Sequence, residues 1–192
     1  PDIVIFSTTC DGTFRWSQTI GGYGYDYVYN IELDNNGGVI ALVHVQNYGQ
    51  VSGTNLTHFS ETETLTPYPV WNGEDDYTYH EAYKKGFLLR YSTDNGALVW
   101  RKDIQTSNPA APTSFVLPTQ IQIDSNGTIH SIIRLLAGTH LNGTVTVAEG
   151  DIKFYLAKFN ALTGDLAAPA VELPIVGEMA ELTSNFRYDE VS

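Results

Sequence analysis

The residues best equipped for chemistry cluster in one stretch. Glu74-Asp75-Asp76 is followed by Tyr77, Tyr79, His80 and Glu81, with Trp71 just before and Glu61 and Glu63 further upstream. Clustered carboxylates are the ligands that a calcium ion requires. Aromatic rings beside carboxylates also suit a sugar or a protein surface, because the rings stack on apolar faces while the carboxylates accept hydrogen bonds. The spacing does not match the calcium loop D-x-[DN]-x-[DN]-G with its closing Glu, so a solvated acidic loop accounts for the cluster better than an ion site. Trp71, Glu74, Asp75, Asp76, Tyr77, Tyr79 and His80 are the candidate interaction loop for a protein or glycan ligand, the alternative being an ordinary insertion that covers a blade edge. Ca²⁺ is the one cofactor weighed, and it is the weaker reading.

Other chemistries lack their signatures. The 5 histidines include no H-E-x-x-H and no pair at ligand spacing. No G-x-S-x-G is present. Gly21-Gly22-Tyr-Gly24 precedes a strand-like run, where a phosphate loop would precede a helix. No catalytic residue, organic cofactor or transition metal is expected. The net charge of -12 argues against nucleic acid, whose phosphates need a basic face, and against an anionic membrane surface. No apolar run approaches the length of a membrane span. The single Cys10 cannot form an internal disulfide and reads as an incidental turn residue. Asn55, Asn126 and Asn142 each begin an Asn-x-Thr triplet and are candidate glycosylation sites, which points to an extracellular or cell-surface location.

The elements that must position such residues come from a repeat. Ile31-Glu-Leu33-Asp34-Asn-Asn36-Gly37-Gly-Val39 is echoed by Ile121-Gln-Ile123-Asp124-Ser-Asn126-Gly127-Thr-Ile129, each residue 90 positions on. Apolar residues alternate before the turn, and Asp-x-Asn-Gly supplies it. A second unit runs from Ile3 through Gly12 to Trp16 and recurs from Phe87 through Gly96 to Trp100, 84 positions on. It recurs again from Tyr155 through Gly164 to Ala168, where Ala replaces the Trp. The two hairpin types alternate along the chain, and helical signals are confined to one turn at most over residues 80–85. Strands and turns without helices mean all-β, and tandem four-stranded antiparallel units suggest propeller blades.

Gly21-Gly22-Tyr-Gly24-Tyr-Asp26 followed by Ile31-x-Leu-Asp34-x-Asn-Gly37 resembles the tandem bacterial SBBP repeat, a β-propeller repeat. Its preceding strand pair ends G-x-x-x-W, as Gly12 to Trp16 and Gly96 to Trp100 do. The resemblance implies a secreted or surface protein with no shared catalytic residues. Asn160-Ala-Leu-Thr-Gly164 and Asp94-Asn-Gly-Ala-Leu-Val-Trp100 are also similar to quinoprotein-type propeller repeats. There the resemblance covers turn residues and docking tryptophans, and no active-site set transfers.

The expected organisation is therefore a partial propeller of about two and a half blades. Residues 1–28 would be the second half of a blade with its connection, and 29–104 a full blade with a long insertion at 46–85. Residues 105–118 would be a connection, 119–173 a second full blade, and 174–192 a connection and the start of a third. Such an open row leaves strand edges and inter-blade faces uncovered, so the chain is expected to belong to a longer polypeptide or to be completed by neighbouring copies. Its expected function is a non-enzymatic extracellular scaffold for adhesion, meeting other blades of its own or neighbouring chains and a protein or glycan ligand. The alternatives are a carbohydrate-binding propeller, or a quinoprotein-like or hydrolytic propeller enzyme whose catalytic residues lie outside this segment. Asp34 and Asp124, at matching places, read as turn caps. Alanine at either is expected to cost about 0.5–2 kcal/mol of stability in a denaturant melt.

Overall fold

The computed structural model describes residues 2–22, 24–46, 56–65, 84–104, 116–175 and 189. The Asp-x-Asn-Gly turns close hairpins where the repeat places them. β3 (Tyr27–Leu33) turns into β4 (Gly38–Gln46), and β9 (Val116–Ile123) turns into β10 (Thr128–His140). The other hairpin type joins β1 (Ile3–Thr8) to β2 (Phe14–Ile20), β7 (Lys84–Ser92) to β8 (Leu98–Asp103), and β11 (Val145–Asn160) to β12 (Leu166–Leu173). β5 (Thr57–His58) and β6 (Thr64–Leu65) form a small hairpin of their own. Strands β3-β4-β7-β8 make one four-stranded sheet and β9-β10-β11-β12 another, each antiparallel throughout, while β1 and β2 pair alone. The chain is all-β, with no helix among the described residues, and its sheets do not close into a ring. Lys84 and Lys85, from the run that had room for one helical turn, begin β7.

The sheets stack face to face, with the β3–β8 sheet in the middle. One side of it, Val39, Ala41, Val43, Phe87, Leu89 and Tyr91, packs on Ile3, Ile5, Trp16 and Ile20 of the β1–β2 pair. The other side, Ile40, Leu42 and Leu88, packs with Ile121, Ile129, Ile133, Tyr155 and Phe159 of the β9–β12 sheet. A sheet covered on both faces has no solvent side, so β4 and β7 carry the consecutive apolar runs Val39–Val43 and Phe87–Leu89 where a half-buried strand would alternate. The two large sheets approach most closely at their first strands, β3 against β9.

Neighbouring sheets are pinned by a repeated contact between a tryptophan and a turn. The Trp16 indole N–H donates to the Thr93 carbonyl at 2.9 Å, in the β7–β8 turn of the next sheet. The Trp100 indole N–H donates to the Ala161 carbonyl at 3.2 Å, in the β11–β12 turn of the sheet after. Each ring lies over the turn glycine, Gly96 or Gly164, both at φ 72°. A Cβ at Gly96 would fall 2.6 Å from the Trp16 ring, and one at Gly164 would fall 2.9 Å from the Trp100 ring. The turns are tied within their own sheets as well: the Thr93 N–H donates to the Gly37 carbonyl and the Ala161 N–H to the Gly127 carbonyl, both at 2.9 Å.

The ungapped repeat misplaces β1 by one residue. Trp100 pairs with Arg90, and the β7–β8 turn is closed by the Ser92 N–H on the Ala97 carbonyl. Trp16 pairs with Ser7, and the β1–β2 turn is closed by the Thr9 N–H on the Thr13 carbonyl, one residue tighter. Because side chains alternate with period two, that single residue exchanges the faces of β1. Ile3 and Ile5 point into the stack, while Val4 and Phe6 are exposed.

Both large sheets carry their extra residues between the second and third strands. In the first, the β5–β6 hairpin bridges back to β2 through Gly21 and His58 and sinks Phe59 beside Phe87, at 4.8 Å between ring centroids. In the second, β10 and β11 run past the sheet as a long hairpin, bulged between Leu136 and Gly138, whose tip returns Leu141, Val145 and Val147 to the core.

Two glycine substitutions separate the close approach from the backbone. Gly96→Ala meets both a left-handed φ and the Trp16 ring, and should cost about 2–4 kcal/mol. Gly12, at φ 87°, has nothing within 4 Å of an added Cβ, so Gly12→Ala should cost only about 1–2 kcal/mol. Urea denaturation of the two variants measures the difference, and equal costs would remove the docking contact as a source of stability.

Candidate functional site

The recurrent acidic residues are built into the turns. In the β3–β4 turn, Asp34 Oδ1 accepts from the N–H groups of Asn36 and Gly38, both at 2.7 Å. Its Oδ2 accepts from Arg90 Nε at 2.7 Å, and Arg90 Nη2 reaches on to the Asn36 carbonyl at 3.1 Å. In the β9–β10 turn, Asp124 Oδ1 accepts from the N–H groups of Asn126 and Thr128 at 3.0 and 2.8 Å. Its Oδ2 accepts from His130 Nε2 at 3.0 Å. Burial pushes both carboxyl groups up. The hydrogen bonds outweigh it, Arg90 at Asp34 and His130 at Asp124 first, with backbone N–H groups adding to each, so both lie below the usual carboxylate value.

The turn caps expected from the sequence are therefore present, but their buried partners were not foreseen. Arg90 and His130 hold equivalent carboxylates from different strands, β7 and β10, so the ungapped repeat gives no sign of either. His44 lies in β4 and His130 in β10. The His44 ring packs against Tyr27 and Tyr29, with the Tyr29 hydroxyl 3.2 Å from Nδ1. Cys10 is exposed in the β1–β2 turn.

The proposed interaction loop, Trp71, Glu74, Asp75, Asp76, Tyr77, Tyr79 and His80, lies outside the described residues, as does Asn55. Of the acids upstream of it, Glu63 pairs with Arg101 at 3.0 Å, and the Arg101 guanidinium sits 4.8 Å over the Phe59 ring. Asn126 and Asn142 are both exposed, in the β9–β10 turn and at the tip of the β10–β11 hairpin. Among the described residues no three His, Cys, Asp or Glu side chains come together at metal-binding distance.

A cleft of about 790 Å³ opens between β1 and the β3–β4 hairpin, lined by Phe6, Arg15, Trp16, Ile31, Glu32 and Leu33 among others. Its walls are mixed, with Ser7, Thr8, Asn35 and Thr93 beside the apolar residues and one cation and one carboxylate, and the repeated Asp34 and Asp124 are not part of it. No model of a protein family matches the chain, and no curated protein is significantly similar to it.

The two turn aspartates should differ in cost. Asp34→Ala leaves the buried Arg90 guanidinium without its carboxylate, a loss of about 3–5 kcal/mol. Asp124→Ala removes the cap of its turn, and about 0.5–2 kcal/mol is expected. Both lowered carboxyl groups contribute stability that is complete above the unfolded value of about 3.9. It is lost as pH falls through the folded values. Acid titration of wild type and Asp34→Asn, followed by circular dichroism, checks the sign: the variant should lose less stability below about pH 4.

Proposed function

We propose that the chain is a propeller-repeat segment of SBBP type, a non-enzymatic extracellular or cell-surface scaffold whose stacked sheets carry binding loops. Each four-stranded sheet is one blade, and the β1–β2 pair is the outer half of another. The observation that carries this reading is the repeated docking of Trp16 and Trp100 on the turn of the following sheet, at equivalent places. The close approach of β3 to β9 supports it, because blades converge at their first strands. The quinoprotein-like resemblance rests on the same docking tryptophans, so it speaks for architecture and not for catalysis.

Adhesion is the use that suits such a stack. The polar residues that recur, Asp34 and Asp124, are engaged in holding turns. The residues with the chemistry for contact, Trp71 to His80, come once, in the insertion that follows β6. Long loops borne on a rigid β frame commonly carry binding. The exposed Asn126 and Asn142 would carry glycans in a eukaryotic secretory setting.

The test uses the full 192-residue chain and a variant with Trp71, Tyr77 and Tyr79 changed to Ala. Both are applied to arrays of surface glycans and extracellular proteins. Saturable binding that the triple variant loses, with an unchanged thermal melt, is the expected result. Binding unaffected by the triple change would remove the insertion as the contact. Turnover of glycoside, ester or alcohol substrates by the purified chain would replace the scaffold with an enzyme.

A further inference from the structure

An asparagine followed by glycine is open to attack on its own side chain, because the next backbone nitrogen has no Cβ beside it to hinder the approach. The chain has five such pairs: Asn36-Gly37, Asn72-Gly73, Asn95-Gly96, Asn126-Gly127 and Asn142-Gly143. Asn72-Gly73 lies outside the described residues, and in the other four the asparagine is exposed. What separates those four is the glycine N–H. Gly96 donates to the Ser92 carbonyl at 2.9 Å, Gly127 to the Asp124 carbonyl at 3.0 Å, and Gly143 to the His140 carbonyl at 3.1 Å. Among the described residues nothing accepts from the Gly37 N–H.

The difference is made inside the turn. Asn35 takes a left-handed φ of 56°, which its repeat equivalent Ser125 does not. The Asp34 carbonyl matches the acceptor that Gly127 uses, but the Asn36 side-chain amide takes it instead, at 3.1 Å. Arg90 adds a second difference, since its Nη2 donates to the Asn36 carbonyl at 3.1 Å. That carbonyl and the Gly37 nitrogen belong to one peptide group, so the guanidinium stabilises the negative charge that spreads over the group when the Gly37 proton is removed. In the second turn His130 holds the Asp124 carboxylate, and among the described residues no cation reaches the Asn126 carbonyl. Both differences arise within one sheet, from the β3–β4 turn and β7.

We propose that Asn36 is a self-modification site, where the Gly37 nitrogen closes on the Asn36 side chain and the ring opens to aspartate or isoaspartate in the turn that supports Trp16. The Gly37 N–Cγ bond forms as the Cγ–Nδ2 bond breaks, and ammonia leaves with the proton that Gly37 gave up. Water then opens the cyclic imide. Attack at Cγ leaves an ordinary aspartate at position 36. Attack at the main-chain carbonyl carbon leaves isoaspartate, in which the chain runs through Cβ and Cγ and a carboxylate stands where the carbonyl was. The longer path displaces the Gly37 carbonyl, which accepts from the Thr93 N–H at 2.9 Å, and the Thr93 carbonyl in turn holds the Trp16 indole. The new carboxylate also competes with Asp34 for Arg90. Both changes loosen the docking of the β1–β2 pair on the β3–β8 sheet.

The test holds the full chain in mildly alkaline buffer at body temperature, samples it over days, and scores imide, aspartate and isoaspartate at each pair by digestion and mass spectrometry. Asn36 should convert about fivefold faster than Asn95, Asn126 and Asn142, whose glycines must first give up a hydrogen bond. The same incubation in urea should bring the four rates together. Aged wild type should melt below fresh protein, while Asn36→Gln, whose longer side chain must close a larger ring, should melt the same fresh or aged. Equal rates at the four pairs in the folded chain, or the same ranking in urea, overturns the site. A fraction modified at Asn36 that melts as fresh protein does overturns its effect on the stack.

Discussion

The stack depends on an indole lying over a glycine. β-Sheets packed only by apolar side chains can slide, since burial is non-directional. Trp16 and Trp100 add direction, because each N–H must find one carbonyl in the next sheet while its ring needs a turn with no Cβ beneath it. Thr93 and Ala161, whose carbonyls accept those bonds, are the same residues whose N–H groups reach Gly37 and Gly127. One residue thus ties the tryptophan of the preceding sheet to both turns of its own. The Asp34 and Asp124 networks sit one step further on, fixing the Asp-x-Asn-Gly turns that present Gly37 and Gly127. The chain of hydrogen bonds runs from one sheet to the next without passing through any apolar contact.

The repeat explains why the fold was so legible. Matching Asp-x-Asn-Gly turns at a fixed offset left few ways to misread the strands, and the turns at Gly37, Gly96, Gly127 and Gly164 fall where the sequence puts them. Errors came where the repeat itself departs from regularity. The β1–β2 turn is one residue shorter than its equivalents, and an alignment anchored on Trp16 and Gly12 carries that gap silently into the strand. Only the pairing of Trp16 with Ser7 exposes it. The long β10–β11 hairpin was missed for a similar reason. Its bulge near Gly138 and its turn at Leu141–Asn142 interrupt the alternation that marks a strand, although Asn142-Gly143 is a turn signal that was read only as a glycosylation triplet.

Site residues were harder to read than strands. A carboxylate that caps a turn is a local feature, and spacing alone predicts it. A guanidinium that reaches the same carboxylate from two strands away is not local, and the two copies solve that problem differently. Arg90 comes from the third strand of its sheet, and His130 from the second of its own. Equivalent positions therefore hold unlike residues, so a repeat search discards them as noise. In repeat proteins the buried polar partners of a recurrent residue are better sought among the non-recurrent positions.

Regularity also turns exposure into information. A single exposed isoleucine on a protein surface needs no explanation. Ile31 is different because its repeat partner Ile121 is buried. Among the described residues the sheet preceding Ile121 has four strands and the one preceding Ile31 has two. The apolar character of Ile31 and Leu33 is thus out of place for a solvent face and in place for an interface. Val4 and Phe6 are exposed as well, while their counterparts Phe87 and Leu89 are buried against β1 and β2.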